Sequence, residues 1–434
     1  MPKFLPQTSM VRVSAMEGSR LLVLTAFAIF FVEFGTLKSF GVLFNPMQDS
    51  LQCSTAQLGT VVGMTHSLGL ILAPLTGNIA RTIDNRLCVM VGGGLLFVGF
   101  LATAFVNNIY QLAITLSLTG FGLSLAYIPQ LVLLLVAFPE RFSLIFGLAG
   151  MGGSLGMMVC PPIVDLLTMT YGWRGAMLIM AAASFNVTAF GAMQRLPSSG
   201  YEKLKKEDIQ SLSDDRPRDI RSKLSAFASA VVQWLSMHLC IEHPKVLLHL
   251  TVWPLLGAIF AAWMVFLVPH AIARGIPSFE AAFLSTVGGI GHLLGRAIHP
   301  FILDRKLMSA FWMFVILNLV NTVSFFLDYA AADNCLALML LASINGAAEG
   351  IVNWIIPSVS KELYEESGYV MDICIIGTCL FGAGEILGGF LAGALYDMTQ
   401  SYSASFFSLG FMAAVTTTMC LIDRLASKYF NETN

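Results

Sequence analysis

The stretch "LLVLTAFAIFFVEFGTLKSFGVLFNPM" (residues 21–47) is almost wholly apolar, yet it contains a glutamate, Glu33, and a lysine, Lys38. About 20 consecutive apolar residues are enough for a helix to cross the hydrocarbon core of a bilayer, so the stretch predicts a membrane-spanning helix. A charged side chain near the middle of such a helix costs about 2.5–3.5 kcal/mol on insertion scales. Charged residues at this depth usually face the interior of the helix bundle, and they mark candidate functional positions.

The composition excludes several other classes of protein. Of the 434 residues, 56% are hydrophobic and 12% are charged, which is about half the charged fraction of soluble domains. The net charge of −2 gives no reason to expect a nucleic-acid surface. The eight cysteines form no CxxC pair, and the sequence contains no P-loop and no nucleophile–base constellation. We therefore expect neither an enzyme nor an ATP-driven pump, and no metal or other cofactor.

Apolar runs of similar length recur along the chain and predict an all-α membrane protein with twelve transmembrane helices in two six-helix halves. The expected organisation is an N-terminal half over residues 1–195, a cytosolic central loop over 196–245, and a C-terminal half with a cytosolic tail over 246–434. The predicted spans are residues 21–47, 58–79, 87–106, 112–138, 144–169, 173–193, 246–270, 279–303, 307–327, 335–356, 373–395 and 405–422.

The central loop divides into two parts. Residues 201–223 are rich in charge and are expected to be flexible. The part that follows has an apolar stripe at helical spacing, which predicts a helix lying on the membrane surface; its residues are Leu224, Phe227, Val231 and Leu235.

Basic residues cluster in alternate loops, and positive loops stay in the cytosol. Both termini and the central loop are therefore expected on the cytosolic side. The segments "RTIDNR" (81–86) and "LDRK" (303–306) follow the second and eighth runs, which are equivalent positions in a plan of six plus six helices. Transporters are commonly built from two such repeats with the substrate site between them.

The charged residues within the predicted spans are the candidates for function: Glu33, Lys38, Asp165, Arg296, Glu349 and Glu385, with His66 and His292 beside them. Lys38 faces either the bundle interior or, by extending its side chain, the outer headgroups. His66 fits a hydrogen-bonded packing role. Asp165 and Glu33 receive no role from the sequence.

His292 and Arg296 are four residues apart and so share one face of their helix. Arginine binds a carboxylate through two parallel hydrogen bonds, and histidine gains and loses a proton near neutral pH. The pair therefore predicts a carboxylate clamp beside a proton carrier. The alternative is an arginine that holds the halves together by pairing with Glu349 or Glu385.

Five long motifs carry a resemblance to a known family. They are "KSFGVLF" (38–44), "ERFSLIFGLAGMGGSLGMMVCPPI" (140–163), "YGWRGAMLI" (171–179), "VPHAIARGIPSFEAAFLSTVGGIGHLLGR" (268–296) and "LGGFLAGALYDMTQSYSASFF" (387–407). With them the chain resembles the monocarboxylate transporter family of the major facilitator superfamily. The resemblance implies the major facilitator fold, a plasma-membrane location and binding of the substrate anion by Lys38 and Arg296. It also implies a single-span immunoglobulin-like glycoprotein as an ancillary partner.

The departures from the family pattern leave the mechanism open. His292 stands where the proton-coupled members carry an aspartate. The first hypothesis is a secondary active transporter of small monocarboxylates that works by alternating access and is linked to protons, with His292 as the proton-coupling residue and Glu349 or Glu385 as counter-charge. The alternative is a proton-independent facilitator of an amino-acid-like or zwitterionic solute. A third hypothesis is a sensor that binds its ligand without transporting it.

Overall fold

The computed structural model describes residues 7–138, 142–194, 244–331, 334–364 and 369–433, which fold into helices without any strand in these ranges. The helices are α1 Gln7–Leu51, α2 Thr55–Ile71, α3 Ala73–Thr82, α4 Asn85–Thr103, α5 Ile109–Ala137, α6 Phe142–Met193, α7 Pro244–Ala273, α8 Ser278–Asp304, α9 Ala310–Ala331, α10 Cys335–Tyr364, α11 Val370–Thr399 and α12 Tyr402–Thr433. The predicted surface helix with Leu224 and its flexible neighbour lie outside the described residues.

Ten helices of the described residues are long and apolar enough to cross a membrane. One of them, Leu144–Met193, has 50 residues and rises about 75 Å, which is more than twice the thickness of the hydrocarbon core. Helix α2, at 17 residues, falls just short of the length required. The expected number of twelve follows if the two limbs of α6 cross separately and α2 crosses together with α3.

A glycine divides α6 into its two limbs. Gly172 has a φ of 70°, in the left-handed region that residues with a side chain rarely adopt. The next turn is fixed by Arg174, whose guanidinium donates to Ser50 Oγ (2.8 Å) and to the carbonyl of Val106 (2.9 Å). This turn ties α6 to the ends of α1 and α4.

The second predicted span also contains a break. Helix α2 begins with a capping box, in which Ser54 and Gln57 each bond the backbone of the other. It ends at Ile71, and α3 begins directly after it with Pro74 in its first turn. Proline lacks the N–H that would continue the helical hydrogen bonds, so the ladder is interrupted at this point.

Small residues set the distances between neighbouring helices. A Cβ added to Gly152 or Gly156 would overlap the backbone carbonyls of Phe27 and Phe31 in α1. Without side chains at these positions, the first limb of α6 packs directly on α1. The same kind of contact joins α8 to α10 at Gly291.

We call the helix ends at residues 51–55, 171–174, 273–278 and 397–402 the outer end, following the predicted orientation. From this end inward the first six helices pack on the last six: α2 lies on α11, the first limb of α6 on α8, and α1 on α7. The carboxylate of Asp397 accepts from the backbone N–H groups of Thr55 and Ala56 at 3.0 and 2.9 Å, across the two halves. Toward the opposite, inner end, α3 packs on α5 and α4 of its own half.

Candidate functional site

Lys38 lies inside the bundle, between the two halves. Its side chain is fully buried, and Nζ donates to the backbone carbonyl of Trp263 on α7 at 2.9 Å. The same ammonium sits 3.7 Å from the centre of the Trp263 ring, which adds a cation–π contact. The alternative in which Lys38 extends to the outer headgroups does not occur in the structure.

Arg296 is also buried, with 2% of its surface exposed. Nη1 donates to the carbonyl of Gly150 on α6, and the guanidinium lies 3.7 Å from the ring centre of Trp354 on α10. Trp354 is supported in turn by the ring of Phe146, at 4.6 Å between centroids. These contacts place the guanidinium at the interface of the halves and leave its Nε–Nη2 edge without a hydrogen-bond partner among the described residues.

That edge carries two donors without an acceptor. Among the described residues, neither Nε nor Nη2 of Arg296 has a hydrogen-bond partner. The two nitrogens form one edge of the planar guanidinium, and such an edge binds a carboxylate through two parallel hydrogen bonds. A buried charged donor left unsatisfied is costly, so this edge is a candidate position for binding an anion.

His292 and Arg296 both contact α6, at positions that are themselves one helical turn apart. His292 Nδ1 lies 2.8 Å from Ser154 Oγ, and Arg296 contacts Gly150. Two residues that are four apart on α8 therefore contact two residues that are four apart on α6. Lys38 and Arg296 are both close enough for their charges to act on His292.

The two glutamates considered as counter-charges lie apart from Arg296. Glu349 is buried on α10 and accepts from the side-chain amides of Asn321 (2.5 Å) and Asn353 (2.7 Å). It is near enough to Lys38 for the two charges to interact. Glu385 on α11 is bound to His66 instead. The alternative in which a glutamate pairs directly with Arg296 is therefore absent from the described contacts.

The structure brings together three residues that the sequence treats separately. His66 Nδ1 lies 2.7 and 2.9 Å from the two carboxylate oxygens of Glu385, and its Nε2 lies 3.7 Å from Glu33 Oε1. The rings of Phe34 and Phe260 pack on the imidazole. Far more than a packing histidine, His66 connects carboxylates from both halves. The signal in the sequence was only that each of the three is an ionisable residue inside an apolar run.

A second buried histidine near the inner end belongs to the last six helices alone. His249 Nδ1 lies 3.1 Å from Asp423 Oδ2, and its Nε2 lies 2.8 Å from Ser360 Oγ. Tyr364 donates its hydroxyl to the other oxygen of Asp423 at 2.7 Å. Helices α7, α10 and α12 are joined by these bonds.

Asp165 also acquires a partner that the sequence did not indicate. Its Oδ1 accepts from Ser278 Oγ at 2.5 Å, which links α6 to the start of α8 at the outer end. Among the described residues, no group of three or more His, Cys, Asp or Glu side chains is arranged so that it could hold a metal ion. The interface between the halves holds the two buried cations Lys38 and Arg296, together with buried histidines and carboxylates described above.

Comparisons with known proteins show to which family the chain belongs. The sequence matches the profile of the Major Facilitator Superfamily over residues 23–380. It is 26% identical over 414 residues to monocarboxylate transporter 12 of Homo sapiens, covering 92% of this chain and 77% of that protein. It is 27% identical to monocarboxylate transporter 13 of Rattus norvegicus (90% and 85%) and 27% identical to monocarboxylate transporter 11 of Homo sapiens (89% and 78%).

Solved structures show the same fold. A POT family transporter in complex with a thioalcohol-conjugated peptide superposes with a TM-score of 0.69 at 13% identity, covering 95% of this chain and 96% of that one. The peptide transporter POT in complex with sulfate superposes with a TM-score of 0.69 at 15% identity, with 95% of each chain covered. This multi-pass membrane protein is a transporter and not an enzyme. It belongs to the major facilitator superfamily, and the resemblance to the monocarboxylate transporters predicted from its motifs is confirmed.

Proposed function

We propose that this protein is a secondary active transporter of small monocarboxylates. The observation that carries the proposal is the buried guanidinium of Arg296, whose Nε and Nη2 have no acceptor among the described residues. A substrate carboxylate supplies two acceptors in the geometry that this edge requires. A carboxylate gives Nε and Nη2 the hydrogen bonds that they lack. This makes its binding free energy more favourable than that of a neutral solute.

Lys38 and His292 complete the site in this proposal. Lys38 adds positive charge from α1, and its hydrogen bond to the carbonyl of Trp263 connects it to the opposite half. His292, bonded to Ser154, shapes the pocket beside Arg296 and is the first candidate for a proton carrier. Glu349 balances the charge of Lys38 when no anion is bound. The site draws residues from both halves, so a bound substrate is contacted by both.

Transport is proposed to occur by rocking of the two halves about this site. The contact of Asp397 with the start of α2 supports an outer end that is closed in this conformation, while α3 at the inner end packs within its own half. We therefore interpret the conformation as inward-facing. Opening of the outer end requires α2 to separate from α11.

The cellular setting is part of the same proposal. We place the protein in the plasma membrane with both termini in the cytosol, as the basic loops predict. Epitope tags at each terminus should bind antibody only after the cells are permeabilised. The family resemblance adds a single-span immunoglobulin-like glycoprotein as ancillary partner, and co-purification from surface membranes tests it.

A second candidate function follows from the surroundings of His292. No carboxylate contacts His292 or Arg296 among the described residues, so the site lacks the acid next to the arginine that proton-coupled family members carry. This favours the alternative, a proton-independent facilitator of an amino-acid-like or zwitterionic solute. The transport-dead sensor differs from both because it binds solute without moving it.

One set of measurements separates these functions. Purified protein in liposomes is given radiolabelled lactate, pyruvate, aromatic amino acids or creatine, with and without an inward proton gradient. The proposal predicts uptake of at least one monocarboxylate. Arg296→Ala should reduce that uptake about 100-fold, because a charge-assisted pair of hydrogen bonds is lost. The matched control Arg296→Lys keeps the charge without the planar fork and should retain intermediate uptake.

Uptake of a zwitterion without any monocarboxylate supports the facilitator, and binding without uptake supports the sensor. Equal uptake by Arg296→Ala and the unaltered protein would contradict the role of the arginine.

A further inference from the structure

Glu33, His66 and Glu385 form a cluster of ionisable side chains that the proposed carboxylate site does not use. They come from three helices, α1, α2 and α11, and are 4%, 7% and 2% exposed. The imidazole lies between the two carboxylates, 2.7 Å from Glu385 and 3.7 Å from Glu33. With a neutral histidine the cluster would bury two negative charges.

One atom of this cluster has no partner. Oε2 of Glu33 is buried and, among the described residues, accepts no hydrogen bond. A carboxylate oxygen without a donor in a region of low dielectric constant is costly, and so is the net charge of two carboxylates. Binding a proton reduces that charge by one. The cluster is therefore built to take up at least one proton.

The surroundings supply no other charge that would remove this need. On α1, Lys38 is engaged with Trp263 on the far half. On α5, the hydroxyl of Tyr127 lies near enough to interact with the cluster electrostatically. On α11, the thiol of Cys379 points to the backbone carbonyl of Leu70 at 3.7 Å. Helix α7 contributes an apolar ring. Among the described residues, no cation is in contact with the two carboxylates except the imidazole.

The cluster lies across the surface at which the two halves meet. The backbone of Glu385 packs directly against Gly63, and Ser67 donates to the carbonyl of Gly382 at 2.5 Å, so α2 and α11 touch at this level. Any motion that opens the outer end must pull Glu385 away from His66. The cluster of Glu33, His66 and Glu385 is thus complete only while α2 and α11 are in contact.

We propose that Glu33, His66 and Glu385 form the proton-binding site of this transporter and link proton uptake to closure of the outer end. The proposal rests on the proposed transport function and moves the proton from His292 to this cluster. His292 faces the cations Lys38 and Arg296, whereas His66 faces two carboxylates, which accommodate a positive charge.

The direction of the linkage follows from the geometry. The closed outer end brings Glu385 to His66 and concentrates negative charge, so the closed state binds the proton more tightly. A lower pH outside therefore favours closure. Glu33 lies 18 residues before the last residue of α1, Glu385 lies 14 residues before the last residue of α11, and His66 lies 11 residues after the first residue of α2. Glu33 is thus the member nearest the inner end, and it passes the proton inward.

The test measures how far solute accumulates in liposomes with an inward proton gradient, with the membrane potential held at zero. The probe is radiolabelled pyruvate. One proton per solute predicts an accumulation ratio rising toward about tenfold per pH unit for the unaltered protein. Glu33→Gln and Glu385→Gln should exchange pyruvate at symmetrical pH, yet accumulate it to a ratio near one. The matched control Asp423→Asn alters a buried carboxylate that also holds a histidine, and it should accumulate pyruvate like the unaltered protein.

Accumulation that survives in both glutamine variants overturns the proposal. So does an unaltered protein that exchanges pyruvate but ignores the gradient, and in that case the carboxylate transport itself still stands.

A second measurement does not depend on the solute. Infrared difference spectra of the purified full chain, recorded on acidification, report buried carboxyl groups that take up a proton. The unaltered protein and Asp423→Asn should gain a protonated-carboxyl band that Glu33→Gln or Glu385→Gln removes or shifts. The same band in all variants overturns the proton site. If pyruvate is not exchanged by any variant while the band behaves as expected, the proposed substrate is wrong and the proton site is retained.

Discussion

His66 and His249 make the same kind of contact in different places, and the difference separates a structural histidine from a functional one. Both are buried and both lie beside a carboxylate. His249 joins helices of the last six only, and both its ring nitrogens and both oxygens of Asp423 have partners. His66 joins helices of both halves, and its cluster leaves Glu33 Oε2 unsatisfied among the described residues. A fully bonded group within one half stabilises that half, whereas an unsatisfied group between the halves responds to their motion in the proposed transport mechanism.

A substitution in the contact of α2 with α11 around His66 should have the largest effect on solute exchange, because the comparison assigns the motion to this surface. A Cβ at Gly389 would overlap the carbonyl of Gly59, so Gly389→Ala prevents α2 and α11 from meeting. Overpacking of this kind costs about 1–3 kcal/mol, or up to about 100-fold in the fraction of molecules with a closed outer end. Solute exchange in liposomes should fall accordingly.

The matched control is Gly94→Ala, because a Cβ at Gly94 meets no other atom within 4 Å. Exchange should stay unchanged, since the new methyl group lies in open space and alanine favours the helix. Equal loss of exchange in both variants would show that the contact of α2 with α11 is not the moving surface.

The two histidine clusters should respond differently to loss of their carboxylates. Asp423→Asn weakens the bonds of His249 and Tyr364, so it should lower the free energy of unfolding by about 1–3 kcal/mol. Glu385→Gln removes one of two buried negative charges that have a single histidine between them, and its cost in stability should be smaller. Thermal unfolding of both variants in the same detergent measures the difference. A larger loss for Glu385→Gln would assign His66 a structural role.

The outer end provides the smallest predicted effect. Asp397 accepts two backbone N–H groups at the start of α2, where a carboxylate also interacts favourably with the helix dipole. Asp397→Asn should therefore favour opening of the outer end by about 0.3–1 kcal/mol. Modification of an engineered cysteine lining the outer entrance should become a few times faster. An unchanged rate would indicate that Asp397 contributes nothing to closure.

Hydropathy was enough to predict most of the fold, because spans in lipid must be apolar over their full length. It also pointed to Lys38 and Arg296, since a charge at lipid depth needs a partner or a function. The break between α2 and α3 was missed, because the apolar run continues through Pro74 without interruption. The ends of the spans can be read from residue hydropathy, whereas local breaks in the backbone depend on how the helices pack.

The site was less predictable for a geometric reason. Spacing within one helix placed His292 and Arg296 on a shared face, but no spacing relates His66 to Glu385, which are 319 residues apart. Their meeting depends on the rotation of α2 and α11 about their axes, and a hydropathy pattern does not specify that rotation. The sequence offered Glu349 and Glu385 as possible counter-charges, with direct pairing to Arg296 as an alternative, whereas the structure holds them with two asparagines and with His66.

In the proposed function, the free edge of Arg296 holds the carboxylate of the substrate. A structure of the protein with a bound monocarboxylate would show whether it does. We expect both carboxylate oxygens at about 2.7–2.9 Å from Nε and Nη2, with Lys38 nearby. A carboxylate bound elsewhere between the halves, with this edge of Arg296 still without an acceptor, would contradict it.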